Sequence, residues 1–226
     1  MDKNFIKKIF PETYFCKNNT IEYCSVFKSP ALKPKKVNQL DKFSRTEIFN
    51  VPRNSLSLFG FPAYGVHCNG WDFKDKTYHM ILSKRSDFIR NFPGLYDNLV
   101  GGGQPNNLSF FKNILKESFE EAGLKKGNIK TSYFTGIRSY FPVFKKEFRP
   151  SVIAIYDIRV RNMKILQNND GEISEFKKFK IAEIISLLEN NLLKPNSVIP
   201  ITDFLIRKNK TFFCETTLKE IIKYLK

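Results

Sequence analysis

The chain has 226 residues, 42% hydrophobic and 15% aromatic, with 38 Lys and Arg against 22 Asp and Glu for a formal charge of +16. That length and apolar content suit one packed domain with a short extra segment and argue against general disorder. No apolar run approaches the ~20 residues a bilayer-spanning helix needs, and the opening MDKNFIKKIF lacks the apolar stretch and cleavage site of a secretory signal. A cytoplasmic protein without membrane contact is expected.

The charge raises the question of nucleic acid, but lysines are spread along the whole chain. The densest stretch, residues 125–150, carries seven basic residues against one acidic, and no known base-reading motif accompanies it. Charge alone carries no sequence-reading machinery, so a lysine-rich surface that attracts small anions is the better reading. Cys16, Cys24, Cys68 and Cys214 show no C-x-x-C spacing, and His67 and His79 are the only histidines. Neither a zinc site nor a disulfide framework is expected.

Residues 1–44 are polar and lysine-rich, and KSPALKPKK (28–36) reads as a basic N-terminal extension or linker. The remainder, 45–226, reads as the main domain. TYHMILS (77–83) and NLVGG (98–102) are predicted strands, the second running into glycines. Leu108 to Ala122 is a predicted helix, with Gly123 where a left-handed cap is expected. Strands follow at SYFTGI (132–137, counting from Ser132) and SVIAIYDIRV (151–160). After the loop NNDGE (168–172) the tail reads as mostly helical, through AEIISLLENN, VIPITDFLIR and TTLKEIIKYL. Strands before and after a central helix predict an α/β fold, a mixed sheet covered by helices on both faces.

The helix carries the chemistry. Phe111, Ile114, Leu115, Ser118 and Ala122 share one side, suited to packing on a sheet. Glu117, Glu120 and Glu121 fall together on a neighbouring side, at i, i+3 and i+4. Like charges at that spacing destabilise a helix by a few tenths of a kcal/mol per pair, and a hard divalent cation reverses that sign. Magnesium, or manganese in its place, takes such oxygen ligands together with substrate phosphates. Gly101, Gly102 and Gly103 just upstream let the backbone turn sharply, so a carbonyl, that of Gly102, can face the same ion. The plain alternative is an exposed glutamate-rich helix with a Lys116–Glu120 surface pair.

This segment resembles the Nudix box, G-x5-E-x7-R-E-U-x-E-E-x-G-U with U aliphatic. Counted from Gly102, it supplies Glu117, Glu120, Glu121, Gly123 and Leu124 at the right spacing. Leu108 stands in place of the first Glu, Lys116 in place of the Arg, and Ser118 in an aliphatic position. Beyond the box, AYGVHCNGW (63–71), LSKRSDFIRNFPGLYDNLVGGG (82–103), NNDGEISEF (168–176) and LKPNSVIPITDFLIR (193–207) resemble one branch of that family. Its members are found alone or fused to thiamine pyrophosphokinase.

The resemblance implies a Nudix-type α/β/α sandwich and a magnesium-dependent hydrolase of a small diphosphate substrate. In that branch the substrate is an oxidised or damaged thiamine diphosphate, cleaved to the monophosphate and phosphate. It also implies metal ligands at Glu117, Glu120, Glu121 and the Gly102 carbonyl, with Glu120 or Glu172 as general base. Lys84 and Arg85 are candidates for the terminal phosphate, Arg85 by its planar fork, with a solvated turn as the alternative. Asp97 and Asn98 are candidates for shaping the entrance or contacting the ring system, or for a plain turn. His67, in an apolar strand, reads as a core histidine, and Trp71 and Tyr96 as core or rim aromatics.

Three other readings share some of these features. A nucleotide pyrophosphatase of the same family has the same metal site and a different ring pocket. An isopentenyl diphosphate isomerase needs a catalytic Cys and histidine ligands, which two histidines support poorly. A non-catalytic binding protein of this fold is favoured by the charge but not by three retained glutamates.

Overall fold

The structure, a computed structural model, describes residues 22–27, 47–129, 132–141, 143–144, 147–148, 150–208, 216 and 219. KSPALKPKK, Cys16, Cys214 and all of TTLKEIIKYL except Thr216 and Lys219 lie outside the described residues. By contacts the chain divides into two compact units. One comprises Met1–Gly65, Gly103–Phe110 and Ser139–Val152; the other comprises Val66–Gly102, Phe111–Arg138 and Ile153–Lys226.

In the first unit, β1 (Tyr23–Phe27) runs antiparallel to β2 (Glu47–Pro52). Cys24, Val26 and Leu56 are buried there, with Val51, Phe61 and Ala63 packed against them. The Ser25 hydroxyl donates to Glu47 Oε2 at 2.8 Å, so the buried polar residue of β1 is satisfied by its partner strand.

The strands that follow are β3 (Ala63–Lys74), β4 (Thr77–Arg85), β5 (Tyr96–Asp97) and β6 (Val100–Gly103). Next come α1 (Phe110–Ala122), the single turn α2 (Lys126–Ile129) and β7 (Tyr133–Tyr140). A small pair, β8 (Val143–Phe144) and β9 (Glu147–Phe148), precedes β10 (Ser151–Arg159). The chain closes with β11 (Ile173–Lys180), α3 (Ile181–Glu189) and α4 (Val198–Lys208).

The main sheet has seven strands in the order β11-β4-β3-β10-β7, with β5 on β4 and β6 on β3, and helices pack around it. The expected α/β class with a mixed sheet is thus what the chain forms. Asp75 and Lys76, with φ of 52° and 59°, make the two-residue turn between β3 and β4, the conformation that matches the twist of a hairpin. In the second unit, Met80 and Leu82 of β4, Phe179 of β11, Ile184 of α3 and Phe204 of α4 share one core. No helix of the described residues is long and apolar enough to cross a membrane.

One element differs from the sequence reading. The mostly helical tail read from AEIISLLENN onward leaves 173–180 without an element, and Ile173–Lys180 is a strand paired with β4. Its apolar residues, Ile173, Phe176 and Phe179, recur every three positions and so imitate a helix. A register irregularity falls between Ile173 and Glu175, and beyond it Phe176 and Phe179 pair with Ser83 and Met80 on opposite faces of the ladder. The strand then turns directly into α3, where Glu183 Oε2 accepts the Lys180 N–H at 2.6 Å and caps the helix.

Candidate active site

The centre of the site is the contact between the end of β6 and one face of α1. Phe110, Ile114, Ser118 and Ala122 are buried at four-residue intervals, which turns the glutamates toward the β6 glycines. A side-chain carbon at Gly102 would overlap the carboxylate of Glu117, and one at Gly101 would come within 3.0 Å of His67 Nδ1. At both places side chains already occupy the space a side-chain carbon would take, so a substitution would have to displace them. Glu121, only 5% exposed, accepts the Gly101 N–H at Oε2, 2.8 Å away. The helix therefore holds the strand end through Glu121, with Glu117 lying against Gly102.

Glu117 and Glu120 also converge on a cation. Lys116 Nζ lies 3.3 Å from Glu117 Oε1 and 2.8 Å from Glu120 Oε2. Burial lowers the Lys116 pKa, but the two carboxylates outweigh it and the net shift is upward. The same helix ends as expected. Gly123 takes φ of 64°, and the carbonyls of Ser118 and Phe119 accept from Leu124 and Gly123.

The loop bearing Glu172 is tied to this helix. The Phe119 carbonyl accepts from Asn169 Nδ2 at 2.7 Å, the Glu120 carbonyl from the Asn169 N–H at 2.9 Å, and the Ala122 carbonyl from the Gln167 N–H at 3.0 Å. The orphan carbonyls of the last helical turn thus anchor the loop. At its other end the Glu172 carbonyl accepts the Ser86 N–H at 2.8 Å, and Ser174 Oγ donates to the Lys84 carbonyl at 3.2 Å. The loop therefore brings the backbone of Glu172 to the end of β4 that carries Lys84, whose side chain is half-buried.

Arg85, Asp97 and Asn98 lie deeper than the sequence expects. They are 7%, 2% and 0% exposed. Asp97 accepts from Lys194 Nζ at 2.6 Å, Arg85 Nη1 at 3.2 Å, the Asn98 N–H at 2.8 Å and the Ser197 hydroxyl. The Arg85 fork is spent inside the protein, its Nε donating to the Asn91 carbonyl. Asn98 Nδ2 donates to Asn69 Oδ1 at 2.6 Å, so its Oδ1 must be the acceptor from His67 Nδ1 at 2.8 Å. That makes His67 the Nδ1–H tautomer. Burial pushes its pKa down to about 4, so it is a neutral core histidine, as its strand predicts.

The chain of buried polar groups continues beyond Asn69. Asn69 Nδ2 donates to Asp157 Oδ1, Arg207 grips Asp157 with both terminal nitrogens, and Arg207 Nε donates to Asp203. Sequence reasoning did not single out Lys194, Ser197, Asn69, Asp157 or Arg207. Lys194, Ser197 and Arg207 lie within the LKPNSVIPITDFLIR phrase, but no local spacing pairs Lys194 with a residue 97 positions earlier. Trp71 and Tyr96 pack against the second unit's core, Tyr96 edge-on to Phe179 at 5.0 Å.

The donors fit a hard divalent cation in part. Among the described residues no group of three His, Cys, Asp or Glu is arranged to hold a metal by itself. Glu117 and Glu120 do already share one positive charge, that of Lys116, and Glu117 lies against Gly102. Magnesium is commonly held by one or two carboxylates and completes its shell with phosphate and water oxygens.

No family model matches the chain. It is 32% identical over 166 residues to "Nudix hydrolase 20, chloroplastic" of Arabidopsis thaliana, covering 73% of this chain and 44% of that protein. It is 30% identical over 166 residues to "Nudix hydrolase 24, chloroplastic" of the same plant, covering 73% of this chain and 46% of that one. The chain thus spans under half the length of these relatives. The crystal structure of DR0079 from Deinococcus radiodurans aligns with a TM-score of 0.55 over 83% of this chain and 99% of that one, at 13% identity. That likeness shows the fold alone.

Proposed function

The chain is a relative of the Nudix hydrolases, and from that premise we propose that it hydrolyses a diphosphate linkage in a small organic substrate with the help of magnesium or manganese. The observation that carries this reading is that Glu117 and Glu120 both reach one ammonium, that of Lys116, while Glu117 lies against Gly102. Helix periodicity alone does not explain that the Glu117 carboxylate fills the space where Gly102 has no side chain.

Glu117, Glu120, Glu121 and the Gly102 carbonyl are the proposed metal-holding groups. When bound, the ion neutralises charge on the diphosphate oxygens. The Glu121 bond to the Gly101 N–H keeps the strand end rigid under the ligands. Water attacks the terminal phosphorus, the bridging P–O bond breaks, and the monophosphate leaves with that oxygen. The proton from water passes to Glu120 or to Glu172, whose loop is anchored on the same helix turn. Lys84 is proposed to meet the terminal phosphate. Arg85, Asp97 and Asn98 act on the substrate indirectly, by fixing the ends of β4 and β5.

The proposed substrate is an oxidised or damaged thiamine diphosphate. Support comes from the phrases 63–71, 82–103, 168–176 and 193–207, which resemble the thiamine-linked branch. The ring difference from the normal cofactor is small, so discrimination rests on a few polar contacts and is modest. Phosphate-release kinetics over oxothiamine, oxythiamine and thiamine diphosphates and a set of nucleotides test this directly. The damaged forms are expected to show the highest kcat/KM. A nucleotide better by tenfold, about 1.4 kcal/mol of transition-state binding, would replace the thiamine reading with a nucleotide pyrophosphatase.

A further inference from the structure

The lysine between the two carboxylates has a consequence for how the site takes up metal. An ordinary surface pair on a helix joins one cation to one carboxylate four residues away. Lys116 instead touches two, Glu120 Oε2 at 2.8 Å and Glu117 Oε1 at 3.3 Å. Glu117 is no free surface residue, because its side chain is 14% exposed and lies against Gly102. Lys116 itself remains 46% exposed on a flexible stem, so it can leave without disturbing the core.

We propose that Lys116 is a tethered stand-in cation that holds Glu117 and Glu120 together in the metal-free protein and competes with the divalent ion for them. This rests on the metal reading given above. The two carboxylates repel each other when no cation is present, and the ammonium neutralises half of their charge. A divalent ion brings twice the charge and closer contacts, so it displaces the ammonium into solvent. Uptake is weaker than at the same site without the lysine, and the carboxylates keep their arrangement while the metal is away. The competition is electrostatic, so any fixed positive charge at position 116 preserves it and a neutral side chain of similar length removes it.

Calorimetric titration with magnesium, and manganese titration followed by electron paramagnetic resonance, test this on the full chain. The set is wild type, Lys116→Met, Lys116→Arg and Glu117→Gln, with thermal unfolding measured with and without metal. Lys116→Met is expected to bind metal about fivefold or more tightly than wild type. It should also melt lower than wild type without metal and show the larger rise when metal is added. Lys116→Arg should stay within about twofold of wild type, and Glu117→Gln should lose most binding. Equal affinity in wild type and Lys116→Met, with Glu117→Gln still impaired, overturns the role of Lys116 and leaves the metal reading intact. Absence of binding in wild type and Lys116→Met alike overturns the metal reading, and the role of Lys116 with it.

Discussion

Asp97 and Glu121 are two buried carboxylates in the same compact unit, and their surroundings treat them in opposite ways. Burial disfavours the charge of Asp97, but Lys194 and the hydrogen bonds from Lys194 and Ser197 overcome it and hold its carboxyl well below the usual range. Burial also disfavours the charge of Glu121, and there Asp97 and Glu117 add repulsion while only the Gly101 N–H and Lys194 oppose it. Its pKa is lifted well above the ordinary value. One region spends its polar groups on holding strands and a loop in place. The other keeps negative charge under tension where a cation is proposed to bind. A protein places unfavourable charge where a ligand later repays it.

The widest separation between the two regions is expected in stability. Asp97→Ala leaves Lys194 and Arg85 buried without their shared partner and should cost about 3–5 kcal/mol. Urea unfolding reads this as a fall in midpoint at unchanged slope. A loss below about 1 kcal/mol would mean that water reaches the hub and that the two carboxylates differ less than their burial indicates.

Glu121→Gln should do the reverse. Turnover at saturating magnesium should fall at least ~100-fold, about 2.7 kcal/mol, while unfolding stability stays level or rises, since the amide oxygen can still accept the Gly101 N–H. Wild-type turnover in that variant would remove Glu121 from the metal set.

The pH dependence separates the two groups further. Asp97 has a depressed folded pKa, so its stabilisation is present above its unfolded value of 3.8 and is lost as pH falls toward the folded one. Glu121 has a raised folded pKa, so it binds its proton better folded, and stability is lost as pH climbs above 4.5 toward that raised value. Without metal, thermal melts across this range should decline with pH in wild type and more gently in Glu121→Gln. Parallel curves would show that Glu121 does not titrate abnormally.

The smallest effect concerns Ser118, fully buried in α1 with no hydrogen-bond partner for its hydroxyl among the described residues. Ser118→Ala should change unfolding stability by no more than about 1 kcal/mol, in the stabilising direction. A clear loss would reveal a partner for the hydroxyl in solution.

How much of this could be read in advance follows the range of each interaction. Helix α1, its Gly123 cap and the shared side of Glu117, Glu120 and Glu121 were legible, because a period of 3.6 residues is written in neighbouring positions. Strand β11 was not, because Ile173, Phe176 and Phe179 do not alternate as a half-buried strand would, and only pairing with β4 defines it. Arg85 and Asp97 looked like phosphate and substrate contacts in a turn. Their burial is set by Lys194 and Ser197, about a hundred residues away.

The sequence by itself thus determined that three glutamates share one helix, and the α/β class that carries it. Local periodicity, caps and the charge of a few side chains suffice for that. Only the tertiary structure decided which carboxylate stays charged and which resists it, which basic residue is spent inside, and that Lys116 stands between two glutamates. Those outcomes depend on dielectric and on distances between segments, which a linear pattern does not contain.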